Sequence, residues 1–300
     1  MTGGGNLRAA ALALLAMAIL ATHDVIIKSL GSRFSPLQIL FFVALFSLPL
    51  VTLALAHERA PALLRPVAPR WVMLRTIAMV IAAGSSMYAF AVLPLAETYA
   101  LLFTMPLWVT VMAIPLLGER VGLHRWLAIL VGLAGVLVVL RPGSAPLTAG
   151  HAAALVGAFC SALTGVIARR LGGIERSVVM LYWPVMGMLA TAGLAMPLVY
   201  RPPAGLDLGL MAVIAVLNLL GNAVMLAAYR AGEAAIVAPM QYSQIIWAVM
   251  FGWLLFAEHP DAVTLAGVTM IVAAGLYIVA RERRGSDNRP VTTTRTRPLR

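Results

Sequence analysis

Residues 95–119 read LAETYALLFTMPLWVTVMAIPLLGE, and residues 234–258 read AAIVAPMQYSQIIWAVMFGWLLFAE. The two stretches align without a gap at an offset of 139, so that Ala96 meets Ala235, Trp108 meets Trp247 and Glu119 meets Glu258. Just upstream, Ala89-Phe90 meets Ala228-Tyr229. Further toward the start of each half the offset is 141, where Val25-Ile26 meets Val166-Ile167, Lys28 meets Arg169 and Leu30-Gly31 meets Leu171-Gly172. Any one such match is easily met by chance in apolar sequence. Agreement at both ends of each half marks an internal repeat.

Each copy is embedded in sequence that water cannot solvate. Apolar residues make up 62% of the chain and charged residues 11%, against about 25% charged in a soluble domain. A chain of this composition is solvated by lipid, and its backbone polar groups must be paired internally. Long apolar runs with scattered Gly and Pro favour helices over a barrel, whose strands would alternate polar and apolar residues. One crossing of the hydrocarbon takes roughly 20 apolar residues. Ten candidates occur, at 8–29, 36–56, 71–93, 95–116, 123–141, 149–170, 177–199, 207–230, 232–256 and 262–281. Pro, Gly and charge separate them, as at Arg65-Pro66 to Pro69-Arg70, Arg141-Pro142-Gly143 and Arg201-Pro202-Pro203. The first run follows Arg8 in the manner of a signal peptide, but Asp24 and Lys28 at its far end and its match to the sixth run mark it as a span.

The expected fold is therefore an all-α integral membrane protein of ten transmembrane helices in two halves. The first repeat covers 1–141 and the second 149–281, followed by a basic, disordered cytoplasmic tail at 282–300. Five crossings per half is an odd number, so the second half must be inverted relative to the first. Placing the N-terminus inside leaves only Lys28, Arg33, Arg141 and Arg201 outside, with every other Lys and Arg inside. The positive-inside rule then puts both termini in the cytoplasm of a bacterial-type inner membrane. The same distribution explains the net charge of +11 as a topology signal and argues against nucleic acid as a partner. Cys160 is the single cysteine, which excludes an intrachain disulfide or CxxC metal pair.

The stretch from Tyr88 to Arg141, YAFAVLPLAETYALLFTMPLWVTVMAIPLLGERVGLHRWLAILVGLAGVLVVLR, resembles the EamA-like ten-helix group of the drug/metabolite transporter superfamily. A weaker copy runs from Ala228 to Arg281, with Pro239 and Phe256-Ala257-Glu258-His259-Pro260, and Thr22 to Gly31 is similar as well. The resemblance covers the chain to about residue 283 and implies a carrier whose substrate it does not specify. Many members of that group carry an arginine in the second span. The corresponding stretch here, Leu40 to Leu45, has none.

Polar groups at membrane depth face a bundle interior or an aqueous cavity, and helical spacing groups them. Asn218, Asn222, Met225 and Tyr229 form one stripe; Gln241 and Gln244 share a face, with Trp247 close by; Glu97, Thr104 and Trp108 form another stripe, which Pro106 can bend; Ser85 and Tyr88 share a fourth. Each has two readings, hydrogen-bonding glue between helices or cavity lining. The amides Asn218, Asn222, Gln241 and Gln244, with Tyr88, Thr104, Trp108 and Trp247, suit a polar organic solute with an apolar or aromatic part. Asp24 reads either as an intrahelical ion pair with Lys28 at i+4 or as a carboxylate coupling transport to protons or holding a substrate amine. Glu97 reads as a helix-start acid or as a second coupling group. His23 and Arg169-Arg170 read as structural, and Glu119 and Glu258 as local caps or pairs.

The expectation is a secondary transporter that moves a small organic metabolite, such as an amino acid or vitamin-like solute, by alternating access. Protons are the candidate coupling ion. Inverted repeats around a midplane site are a common plan for such carriers. A lipid or lipid-precursor flippase is the alternative, with a channel or an intramembrane enzyme behind it. No HExxH, GxSxG or Walker loop is present, and no cofactor is called for. The partners are the solute and the bilayer, and the chain works as a monomer or homodimer.

Overall fold

A computed structural model describes residues 3–56, 64–118, 123–141, 147–172, 174–232 and 234–286. Among them the chain is helical and contains no strand. In order, the helices are α1 (Gly3–Gly31), α2 (Pro36–Ala56), α3 (Pro69–Val92), α4 (Leu95–Leu102), α5 (Met105–Leu117) and α6 (Leu123–Leu140), then α7 (Ala149–Leu171), α8 (Ser177–Val199), α9 (Gly205–Ala231), α10 (Ala234–Met240), α11 (Ser243–Phe256) and α12 (Ala262–Ser286). Six segments are long and apolar enough to cross a membrane, and four shorter apolar helices accompany them. The last helix runs past the expected end at 281 to Ser286, so the start of the expected tail is helical. Residues 287–300, and Glu119, lie outside the described residues.

Two expected runs differ from the sequence reading. The fourth is split into α4 and α5 and the ninth into α10 and α11. The breaks fall within one residue of matching positions of the repeat, at Phe103-Thr104 and Gln241-Tyr242. Their causes differ. Pro106, which has no amide hydrogen, follows the first break, while Pro239 precedes the second. Around both, i→i−4 bonding gives way to tighter i→i−3 bonds: Thr104 N donates to Leu101 O at 3.1 Å, and Tyr242 N to Pro239 O at 3.2 Å. The distal ends of α5 and α11 are also matched. Gly118 (φ 70°) and Ala257 (φ 52°) both close their helix in the left-handed conformation.

The halves pack reciprocally. α1 lies along α9 as α3 lies along α7, and α2 meets α8 as α6 meets α12. The α6–α12 pair approaches closest at Gly135 and Gly267, where a Cβ on Gly267 would stand 2.8 Å from the Gly135 carbonyl oxygen. Small residues at such crossings let backbones approach, which in lipid is a main source of helix association. The principal core draws on both halves, including Ile27, Leu40, Tyr99, Ile214 and Ile271.

One end of the bundle carries the start of α1 and is called here the N-terminal face; the end at Gly31 is the distal face. Cross-half polar links tie both faces: near the N-terminal face Glu175 accepts from the Val67 and Ala68 amides and Trp183 donates to Leu64 O, and the distal face carries ion pairs as well. Lys28 Nζ sits 2.8 Å from Glu258 Oε1, Arg33 Nη1 2.7 Å from Asp207 Oδ1, and Gln38 donates to Arg201 O at 2.6 Å while accepting from Arg201 N at 2.9 Å. Arg141 pairs with Asp261. Reciprocity between the halves breaks down around α4. α4 packs against α11 and α12 near the distal face, whereas among the described residues its counterpart α10 makes no comparable packing on α5 or α6. The bundle is thus tighter around α4 than around α10.

Candidate functional site

The asymmetry leaves a central cavity of about 510 Å³ between the two broken helices. Its walls include Asp24 of α1, Tyr99 and Phe103 at the end of α4, Gln241, Tyr242 and Gln244 at the α10–α11 break, and Arg169 near the N-terminal face. Because the backbone turns at each break, consecutive residues there face the cavity that a continuous helix would have pointed to several sides.

Asp24 is the most connected group. It is 8% exposed. Its Oδ2 accepts from the Tyr99 hydroxyl and lies 3.5 Å from Gln244 Nε2, which also donates to Tyr99 OH at 3.2 Å. His23 Nδ1 sits 2.7 Å from Asp24 Oδ1. A carboxylate this buried is held by several partners because an unpaired one would be costly in low dielectric. Lys28 is not its partner. That local pairing is corrected: Lys28 donates to Leu93 O at 2.6 Å and pairs with Glu258, whose Oε2 accepts the Leu95 amide at 2.8 Å. Glu258 thus caps the N-terminus of α4, where the helix dipole favours an anion, rather than pairing locally.

An aromatic run leads from this knot along the wall. Phe90 meets Tyr99 edge-on at 5.2 Å, Tyr99 lies 6.1 Å from Phe103, and Phe103 5.2 Å from Tyr242. Gln241 Nε2 donates to Tyr229 OH at 2.7 Å. A lateral cavity of about 450 Å³ shares Asp24, Ser86 and Phe90 with the central one and is lined further by Asn218, Asn222 and Arg75. Asn222 Nδ2 donates to Asn218 O at 2.8 Å and to its Oδ1 at 3.1 Å. Arg75, whose place in the sequence reads as a topology signal, reaches Met180 O at 2.6 Å and lines this lateral cavity.

Other expected residues fall elsewhere. Glu97, Thr104 and Trp108 do not share a face, because the α4–α5 break separates them. Glu97 lines a distal cavity of about 400 Å³, with His151 Nε2 3.7 Å away and Arg141 and Asp261 nearby. Thr104 is buried and donates to Leu101 O at 2.7 Å. Trp108 packs edge-on against Phe159 at 5.4 Å, and Trp247 stacks on Phe251 at 6.0 Å. Tyr88 is exposed, and none of these last four lines the cavities described. The cavity-facing side of α3 is Ser86 and Phe90, about 100° per residue away from Ser85. Tyr99, Phe103 and Tyr242 escape sequence reasoning, although Phe103 and Tyr242 each stand three residues from a break proline. Among the described residues no group of three or more His, Cys, Asp and Glu side chains could hold a metal ion.

On the distal face, Arg141 and Thr264 hold the Asp261 carboxyl well below the usual carboxylate range, and Asp261 in turn raises Arg141.

The model of the EamA-like transporter family matches this sequence twice, over residues 7–141 and 148–280. An S-adenosylmethionine uptake transporter of Rickettsia felis is 24% identical over 92% of this chain and 94% of its own length. A riboflavin transporter of Rhizobium johnstonii is 29% identical over 81% and 79%. The pseudopaline exporter CntI of Pseudomonas aeruginosa is 30% identical over 91% and 96%. A solved crystal structure superposes with a TM-score of 0.62 at 18% identity, covering 95% of this chain and 99% of the other, which is a likeness of fold.

Proposed function

Because this chain belongs to the EamA-like transporter family, we propose that it is a secondary carrier moving one small organic metabolite across the inner membrane by alternating access. It is a multi-pass membrane transporter of small metabolites and not an enzyme. In the finer reading the helices make ten crossings, with α4–α5 and α10–α11 each crossing once. Five crossings per half invert the second half, and reciprocal packing of α1 with α9 and α3 with α7 supports that plan. The Lys and Arg distribution supports a cytoplasmic N-terminal face.

The observation that carries this reading is the central cavity at the two helix breaks. Its volume of about 510 Å³ lies within the range of roughly 300–1,000 Å³ typical of small-molecule sites. Gln241 and Gln244 both donate and accept, while Phe103 and Tyr242 offer flat apolar faces. Such walls suit a polar solute with an aromatic or apolar part. Asp24, held by Tyr99 and Gln244, is the carboxylate we assign to proton coupling, with Glu97 as a second acid on the distal side.

Transport by the purified protein in liposomes tests the assignment. Gln244→Ala and Asn222→Ala are expected to lower transport at normal expression; unchanged kinetics in both would remove the site. Asp24→Asn is expected to abolish pH-driven accumulation, and full accumulation in that variant would remove the coupling role.

A further inference from the structure

The distal and central cavities lie along one seam. Along α4 and its flanking caps, Pro94, Ala96 and Glu97 line the distal cavity, and Tyr99, Leu102 and Phe103 line the central one. On α11 the order repeats: Ala248, Val249 and Gly252 face the distal cavity, and Gln244 the central one. Two cavities thus neighbour each other along the same pair of helices, one helix from each half.

What separates them is thin. Tyr99 (3% exposed), on the wall of the central cavity, and Ala100 (0%) and Ile245 (7%), which line neither cavity, are buried along the seam. Ala100 and Ile245 are apolar filler. Tyr99 alone is tied across the seam, donating to Asp24 and accepting from Gln244 at 3.2 Å. One α1 turn beyond Asp24, Lys28 stitches the same two elements again, through Leu93 O ahead of α4 and Glu258 after α11. α1 therefore holds α4 and α11 together at two successive turns, first at the partition and then at the distal rim.

We propose that the distal cavity is the far compartment of the transport path, and that Tyr99, bonded to Asp24 and Gln244, is the partition between the two compartments. This rests on the alternating-access reading given above. Tyr99 is a positioning residue in it. Any group that takes Asp24 or Gln244 for itself, a proton or a polar group of the solute, releases the Tyr99 hydroxyl. The seam between α4 and α11 is then held only by the Lys28–Glu258 clasp.

Thiol accessibility tests this without any knowledge of the solute. With Cys160 replaced by Ala, Ser161→Cys reports the central cavity and Val249→Cys the distal one, since both positions line those walls. The full-length protein in liposomes is treated with a membrane-impermeant maleimide from the distal side. With Tyr99 intact, Val249→Cys is expected to react and Ser161→Cys to be at least tenfold slower. Adding Tyr99→Phe is expected to raise the Ser161→Cys rate from the distal side tenfold or more, while its rate from the N-terminal face stays within twofold. Gln244→Ala serves as a second partition variant and is expected to act in the same direction. Equal distal rates at both positions with Tyr99 present would overturn the proposal, as would no increase in either variant. Uptake of a panel of radiolabelled amino acids and vitamins into the same liposomes reads the carrier assignment separately, so no uptake of any panel member with the expected labelling pattern would count against that assignment and leave the partition standing.

Discussion

Replacing Glu258 removes two contacts with one side chain, and the structure lets their worth be bounded. The carboxylate bridges Lys28 Nζ at 2.8 Å and the Leu95 amide at 2.8 Å, with the two ionised side chains only 11% and 19% exposed. Breaking a fully buried pair by removing one partner costs about 3–5 kcal/mol, whereas interhelical hydrogen bonds in membrane proteins average about 0.6 kcal/mol. The pair is largely but not wholly desolvated, and Lys28 keeps the Leu93 carbonyl at 2.6 Å. Glu258→Gln, which retains an acceptor for Leu95, should therefore cost about 2 kcal/mol, and Lys28→Met a similar amount. The double variant leaves no unpaired charge. The cycle over both positions should give a coupling of about 1.5 kcal/mol, which corresponds to roughly tenfold in an equilibrium constant. Denaturant-induced unfolding in mixed micelles, followed by tryptophan fluorescence, measures all four proteins. A coupling below about 0.5 kcal/mol would refute the claim that this clasp holds α1 to α11. Asp24→Asn combined with Lys28→Met is the control: an equally large coupling there would restore the intrahelical pairing that the structure rejects.

Ala257 sits at φ 52° where the repeat has Gly118, and a left-handed conformation costs a non-glycine residue about 1 kcal/mol. Ala257→Gly should therefore raise stability by up to about that amount in the same unfolding assay. Asp261 has its acid constant depressed by Arg141 and Thr264, so it contributes stability above the unfolded carboxylate value near about 3.9 and loses it as pH falls through the lower folded value. The melting-temperature difference between wild type and Asp261→Asn should hold constant from about pH 5 to 8 and shrink only below about pH 4. A difference that changes near neutrality would point to another group.

The order of helices was legible because Pro and charge punctuate apolar runs, and those marks act locally. The matched breaks were less so. Pro106 signals a bend, but that Pro239, placed before its break, produces the same geometry depends on how α10 and α11 seat against α1. Facing was hardest to read. On a soluble helix the polar side identifies itself, whereas α3 is apolar nearly all round, so choosing Ser85 over Ser86 turns the helix by about 100° with no penalty in the sequence pattern. The Asp24–Lys28 pairing followed the i, i+4 rule for helices in water. Within a bundle in lipid, charges are satisfied across helices, and Lys28 finds its acid more than two hundred residues away. The amides Asn218, Asn222, Gln241 and Gln244 line the central and lateral cavities. The aromatic partners Tyr99, Phe103 and Tyr242 were hidden by their ordinary appearance in apolar surroundings.

The proline after the first break has an effect that reaches beyond bending. A continuous helix would satisfy the Leu102 carbonyl with the amide of the fourth residue on, but that residue is Pro106, and Leu102 lines the central cavity. A main-chain acceptor of this kind is anonymous. It belongs to no side chain, it survives drift at position 102, and substituting Leu102 does not delete it. An alanine scan of the cavity wall would pass over it in silence. Restoring the amide with Pro106→Ala would expose it: solute selectivity would change although the substituted residue carries no polar group of its own.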